Sequence, residues 1–534
     1  MPEPYAVMTA ASSEASDGIV GPHFAPGFPA PGTPEELVEF ARIQRRMAPL
    51  YQKVFSDSGA PRAIVVVPSL SLEASELEKI AGVEHYEERL LCLLMLLRLP
   101  RARIVYVTSR ALAPSIIDYY LHLLPGVPAE HARRRLVLLD CDDSALKPLT
   151  EKILYRPRLL ERIRKAMGPP ELSHITCFNS TALERTLAVR LGIPMYATDP
   201  ALADLGTKSG SRRVFREAGI DLPDGFEGVR SEDDTVDAIV ELKRRNSDLH
   251  RVVVKLDEGF SGEGNATLDV RSAPSGDRLP AWIRSRLDTH LVCEAPGETW
   301  QSLSPKLSQM GGIVEIFVAG SGATSPSVQC RIDPVGQIEI VSTHDQVLGG
   351  PTGQIFLGCR FPAAPEYRSS LHDAGRRVGE VLRDKGVIGR YGLDFVSIND
   401  NGSRRNYAIE INLRKGGTTL PFLMLQFLTN GTYRSDTGAY ETALGDPRYY
   451  YATDNLQHDD YRRLTPRDLI DVVVEQGLHF DSTTQEGVVF HLIGAIAQFG
   501  KLGVVAVGRT PQSAMDTYER TVDVLKREAG RAAP

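Results

Sequence analysis

Paired cysteines are missing from this chain. Its six cysteines, Cys92, Cys141, Cys177, Cys293, Cys330 and Cys359, stand singly with no C-x-x-C pair, the pattern of reduced, buried thiols in a cytoplasmic protein. Charge of one sign is missing too. Basic and acidic residues mix along the chain to a formal net charge of -7, so there is no basic stripe for a phosphate backbone, and nucleic acid is excluded as a partner. Long apolar runs are absent: RLLCLLMLLRLP at 89–100 is broken by Arg98 and closed by Pro100, about half a membrane span. It predicts a buried helix, and no membrane is expected. The N-terminus has no basic segment followed by an apolar core, so no secretion signal is expected, and its Pro, Ser and Gly content predicts a loose tail over 1–34. With 42% hydrophobic and 24% charged residues, disordered and fibrous classes are excluded, and 534 residues predict roughly two to four domains.

What is present begins with AIVVVPSL (63–70), RIVYVTS (103–109), RLVLLD (135–140) and ITCF (175–178), separated by helix-like stretches. This alternation predicts a parallel sheet covered by helices, a Rossmann-like domain over 35–200. No G-x-G-x-x-G follows its first strand, so dinucleotide binding is not supported. From about 200 the texture becomes α+β. Ser209 or Ser211 is expected to cap a short helix, SRRVFREAG, stopping at Gly219. RVVVKLDEGFSGEGNATL reads as strand, glycine-rich loop, strand, and IVEIFVAG, SPSVQCRID, QIEIVST and YGLDFVSI as further antiparallel strands. Past 430 come a Tyr- and Asp-rich stretch (GDPRYYYATDNLQHDDY), a helix near 464–476, the apolar strand VVFHLIGAIA, the segment KLGVVAVG, and a final helix with Ala514, Tyr518, Val522 and Leu525 along one side.

The chemistry concentrates at 407–421, YAIEINLRKGGTTLP. Alternation sets Tyr407, Ile409, Ile411 and Leu413 on one face and Glu410, Asn412 and Arg414 on the other, before a glycine-rich run suited to close backbone approach to a ligand. Asp394, in GRYGLDFV, lies on a preceding strand joined by NDNGSRRN, so an antiparallel pair would gather Asp394, Glu410 and Asn412. Two carboxylates and an amide, with no His or Cys, suit Mg²⁺ arriving with a nucleotide and disfavour zinc. Lys255 ends a strand just before DEGFSGEGN, where Gly259, Gly262 and Gly264 would let backbone fold over a phosphate. Each feature has a plainer reading. The acidic strand could be a solvated face, the glycine loop a mobile hairpin, and Lys208 a surface lysine. Thr343-His344-Asp345-Gln346 reads equally as a strand end capping a turn or as His344 and Asp345 orienting an amine or taking its proton. Arg390 shares the strand face of Asp394 and either neutralises an acyl phosphate or pairs with a carboxylate. His491 reads as a buried, hydrogen-bonded histidine.

In order and spacing, Lys208, Lys255 with its glycine loop, IVEIFVAG, Asp394 and E-I-N-L-R resemble an ATP-grasp enzyme over 206–421. SPSVQCRI, STHDQVLGGPTGQIFLGCRFPA, YAIEINLRKGGTTLP and GVVFHLIGAIAQFGKLGVVAVG are similar to the pheganomycin-type peptide ligases. The resemblance implies an α/β and α+β multidomain protein: a Rossmann-like pre-ATP-grasp domain, an ATP-grasp fold with antiparallel sheets over 201–430, and a C-terminal module over 431–534. It implies ATP and Mg²⁺ as cofactors, with Lys208 and Lys255 on the phosphates and Ser261 and Gly262 in the covering loop. Glu315 and Val318 fall on the strand that receives adenine, although Ile316 stands where many relatives have a second acid. Asp394, Glu410 and Asn412 would hold magnesium, and Arg414 would face the transferred phosphate.

The reaction implied is ATP-dependent joining of a small carboxylic acid or amino acid to an amine or peptide nucleophile through an acyl phosphate, in specialised peptide metabolite (antibiotic) biosynthesis. No convincing Ser-His or Cys-His pair competes as a nucleophile, so catalysis would rest on positioning and electrostatics. The glycine loop and the 345–360 loop are expected to be lids that exclude water. Two alternatives stand beside this: a small-molecule kinase on the same scaffold, and a nucleotide-binding regulator without turnover. A homodimer is compatible with the sequence, which carries no signal for oligomeric state.

Overall fold

The computed structural model describes residues 27–259, 264–295, 297–349, 353, 355–400 and 402–531. Arg62–Val67 (β1), Ala102–Thr108 (β2), Leu136–Asp140 (β3) and Ser173–Cys177 (β4) pair in parallel in the order β3-β2-β1-β4. β1 is buried along its whole length, which is why RAIVVV is apolar without alternation. The order is that of a doubly wound sheet, as the strand and helix spacing predicts.

The run at 89–100 belongs to a 3-10 helix, Val83–Arg98, buried on several sides. It sits in a core shared with Ile64 and Val66 of β1, with Phe422 and Leu425 of the helix Thr419–Thr429, and with Val504 near the C-terminus. A helix wrapped by other elements needs no polar face, and the sequence supplies none over these residues. Glu87, on the same helix, accepts from Ser109 N at 2.6 Å and from Ser109 Oγ at 2.5 Å. Burial pushes its carboxyl up to about 7 against the pull of those hydrogen bonds and of Lys152. The folded state therefore holds a proton that the unfolded chain has released. The associated stability is fully present below the ordinary glutamate range and is lost as pH rises through the folded value. Glu87→Gln is expected to flatten the fall in melting temperature between about pH 5 and pH 7 and to melt above the parent at about pH 8, as calorimetry across that range would show.

A five-stranded antiparallel sheet follows, built from Gly225–Val229 (β5), Arg251–Leu256 (β6), Asn265–Asp269 (β7), Val292–Cys293 (β8) and Gly312–Ile316 (β9) in the order β5-β9-β6-β7-β8. The larger sheet begins with Ser325–Ile332 (β10), Ile338–Gly349 (β11), Ile355–Phe361 (β12), Gly389–Asp400 (β13) and Ser403–Asn412 (β14). A small hairpin, Thr432–Arg434 (β15) with Ala439–Glu441 (β16), precedes three more strands, Tyr449–Gln457 (β17), Gly487–His491 (β18) and Lys501–Gly508 (β19). The order is β14-β13-β10-β11-β12-β17-β19-β18, so strands after 430 continue the same eight-stranded sheet.

Several local expectations change. Thr207, not Ser209 or Ser211, caps the helix Lys208–Glu217, its Oγ1 accepting from Gly210 N at 2.9 Å. Ser211 is instead buried one turn in, its Oγ accepting from Ile411 N at 2.9 Å and tying the helix to β14. Thr343 to Gln346 lie inside β11, not at a strand end, and most of 345–360 is β-hairpin rather than loop. The stretch around Tyr449 to Gln457, read only by composition, is the strand β17. VVFHLIGAIA leaves the sheet after His491, where Leu492 turns left-handed at φ 53°. The last helix, Pro511–Arg531, buries Ala514 and Leu525 and packs Tyr518 and Val522 on the core, as its pattern predicts. All six cysteines are free thiols, five of them buried.

Candidate active site

β13 and β14 are antiparallel neighbours, and their register sets Asp394 across from Glu410 and Gly392 across from Asn412. Asn412 Nδ2 donates to Asp394 Oδ2 at 2.9 Å and to Glu410 Oε1 at 3.2 Å. The structure thus brings together the three side chains that the strand alternation predicts. The pleat between them is irregular. The ladder steps from Asp394–Glu410 to Phe395–Ala408, a bulge that leaves Ile409 unpaired. Ala408 and Ile411 enter the core while Ile409 lines a cavity, so the uniform apolar face expected of Tyr407, Ile409, Ile411 and Leu413 is split.

That cavity, ≈ 1030 Å³, is bounded by both sheets and the 3-10 helix. Lys208 reaches it from the first turn of its helix. This turn is tight enough that a Cβ on Gly210 would fall 1.7 Å from Asp204 O, so no larger residue fits there. The Lys208 ammonium pairs with Glu410. Burial, then the charge of Lys255, pushes Lys208 down to about 7 against the pull of Asp394. Lys255 Nζ lies 2.6 Å from Glu315 Oε1, and Arg212 Nη1 lies 2.6 Å from Glu315 Oε2. Arg212, fully buried, also binds Glu227 through Nε. Glu315 therefore anchors two cations, and Phe317 and Val318, just beyond the end of β9, line the cavity wall. In the loop after Lys255, Gly259 lines the cavity and Gly264 re-enters β7 at φ +88°. Ser261 and Gly262 lie outside the described residues.

Arg414 lines the cavity too, pushed down to about 10 by burial and by Arg89, against the attraction of Asp394. Gln346, which had no role of its own in the sequence reading, donates from β11 to Asp394 Oδ1 at 2.6 Å. Asp345 borders the cavity, but both its oxygens are engaged, by Tyr367 OH at 2.5 Å and Ala364 N at 2.9 Å, and burial raises its pKa.

His344 and Arg390 do not line the cavity, which corrects their placement beside the reacting groups. His344 is fully buried beneath Phe361 and Tyr450, with its Nε2 2.6 Å from Tyr450 OH, and burial pushes it down to about 3. An imidazole that stays neutral under an aromatic lid cannot trade protons with a substrate. His344→Gln is expected to lower the melting temperature while leaving kcat within about threefold of the parent, as thermal unfolding and turnover assays would show. Arg390, half-buried at the start of β13, is pushed down to about 10 by burial and by Arg331. His491 is buried, as expected, but neither ring nitrogen has a hydrogen-bond partner of regular geometry among the described residues, and burial pushes it down to about 4.

The cluster fits a divalent cation. Its donors are hard oxygens on facing strands, and a lysine ammonium already stands against Glu410, a positive charge where a metal would compete. Among the described residues no group of three or more His, Cys, Asp or Glu could hold a metal, so two carboxylates with an amide are the set on offer.

Residues 200–277 and 276–436 match the family model described as IQCH-like, ATP-grasp, and residues 468–521 match the PGM1 C-terminal domain. The chain is 32% identical over 493 residues to the L-propargylglycine--L-glutamate ligase of Streptantibioticus cattleyicolor, covering 91% of this chain and 98% of that one. It belongs to the ATP-grasp ligases. Within them it is of the pheganomycin type, an ATP-dependent ligase that forms C–N bonds, as the motif order implied. The ligase also shares its fold with a biotin carboxylase from Campylobacter jejuni, at TM-score 0.51 and 12% identity over 89% of this chain and 96% of that one. The biotin carboxylase domain of 2-oxoglutarate carboxylase from Hydrogenobacter thermophilus aligns at TM-score 0.51 and 11% identity over 86% of this chain and 89% of that one. Among the described residues, no helix of the ligase is long and apolar enough to cross a membrane.

Proposed function

We propose that the ligase phosphorylates a substrate carboxylate with MgATP and passes the acyl group to an amine, joining amino acids or short peptides in specialised peptide metabolism in the cytoplasm. One observation carries this reading: Asp394, Glu410 and Asn412 face Lys208 and Lys255 across a single cavity. Lys208 and Lys255 bind the phosphates, and the backbone near Val318 receives adenine beside the anchored Glu315. Asp394, Glu410 and Asn412 hold Mg²⁺, which offsets charge on the phosphate oxygens when bound. Arg414 faces the transferred group. A carboxylate oxygen attacks the γ-phosphorus and the bond to ADP breaks. The amine nitrogen then attacks the acyl carbon, the C–O bond to phosphate breaks, and the amine gives up a proton. Both steps depend on holding reactants in line, which the two sheets and their shared cavity are built to do. The amino-acid substrates are suggested by the name of the Streptantibioticus relative.

The test is a matrix of acids and amines, amino acids and dipeptides included, incubated with MgATP. ADP, phosphate and a product of mass acid plus amine minus water are expected, and hydroxylamine should trap a hydroxamate. AMP in place of ADP, or phosphorylation of a hydroxyl without hydroxamate, would overturn the reading.

A further inference from the structure

The cavity runs past Arg414 to an end that phosphoryl transfer does not use. Tyr86 and Arg89 of the 3-10 helix meet there with Asp454, Asn455 and Gln457 of β17 and Lys501, the first residue of β19. Gln457 and Lys501 are directly opposed in the β17–β19 ladder, so the strand pair fixes where Lys501 emerges.

The two cations here differ. Arg89 is fully compensated: its Nη2 is 2.7 Å from Asp454 Oδ2, and its guanidinium lies 3.9 Å from the Tyr86 ring centroid and 5.2 Å from that of Phe178. Lys501, only 7% exposed, donates to Tyr86 OH at 2.9 Å and has no carboxylate within ion-pair distance among the described residues. An ammonium has three donors, and a buried charge without a counter-charge is costly. Arg89 and Asp454 cancel, so this end carries one uncompensated positive charge on the wall of a cavity that also holds the reacting end. Arg414 links the two ends, sensing Asp394 on one side and Arg89 on the other.

We propose that Lys501, with Tyr86 and the Asn455 amide, is the recognition site for a carboxylate that the substrate keeps throughout the reaction, the free carboxylate of an amino acid or peptide. Asp454 acts through Arg89, holding it clear of Lys501. The ligase would thus read its substrate at two places, the reacting group beside Asp394 and a spectator carboxylate at Lys501. This rests on the ligase reading above, and the experiment separates the two.

The twenty proteinogenic amino acids, each with its α-carboxamide, are assayed as substrates with MgATP by phosphate release and product mass, for the parent, Lys501→Met and Lys501→Arg. MgATP affinity is measured for all three by calorimetry. The parent is expected to favour the free carboxylate over the carboxamide by at least about tenfold in kcat/KM. Lys501→Met should lose that preference through KM while keeping the carboxamide rate and MgATP affinity, and Lys501→Arg should restore part of it. If the parent binds no MgATP or makes no ADP, the ligase reading itself fails. If it makes ADP but uses no amino acid, or prefers none of them over its carboxamide, the inference is overturned. A Lys501→Met protein that binds MgATP as the parent does and loses both substrate forms equally also overturns it.

Discussion

Asp394→Asn is expected to lower kcat for ADP formation by at least about a thousandfold while leaving the protein as stable as the parent or more so. The substitution keeps shape and removes one of two negative charges from the cluster. The same carboxyl is held above its usual range by burial, with Lys208, Arg414, Gln346 and Asn412 only partly offsetting that, so the folded state tolerates the charge at a cost. Neutralising it relieves the cost and removes the ligand. Paired measurements of turnover and thermal unfolding would show this divergence, since a merely structural carboxylate would lose stability along with rate. ATP-dependent stabilisation undiminished in the variant, with no turnover in the parent, would instead point to a nucleotide-binding regulator.

Arg212→Met is expected to destabilise the ligase by about 3–5 kcal/mol, read from the urea midpoint, because it strips a fully buried guanidinium from two carboxylates at once. Glu315 keeps Lys255 and Glu227 keeps Arg216, but each loses the partner that the interior was packed around. Lys255 then answers a more negative Glu315 and is drawn from the phosphates, so the KM for ATP should rise in whatever fraction folds. Adding Glu227→Gln should recover part of the stability by removing a carboxylate left with one of its two cations.

Much of this was legible in sequence wherever one period or one motif dominated. RAIVVV and its partners announced a parallel sheet because both faces are covered, and E-I-N with Asp394 announced a ligand cluster because a hairpin register leaves few other pairings. Ile409 was misplaced because a bulge inserts a half-step that no alternation count can see, and the bulge depends on what β13 demands of β14. His344 looked chemical from its residue type, yet its surroundings come from Phe361 and Tyr450, distant in sequence. Arg212 was one arginine among several in SRRVFRE, and only the packing shows that it faces inward. Asp454 fell in a stretch read by composition and Lys501 at the head of an apolar segment given no role, because their partners Arg89 and Tyr86 lie more than three hundred residues earlier.

β12 borders β11 on one flank and β17 on the other, through Cys359–Ala452, Arg360–Tyr451 and Phe361–Tyr450. Without β17, that flank would be a raw seam of unanswered amide and carbonyl groups, open to any passing strand. The tail that lends Lys501 to the pocket thus also seals that flank, through a strand whose following residues, Asp454, Asn455 and Gln457, turn to the pocket wall.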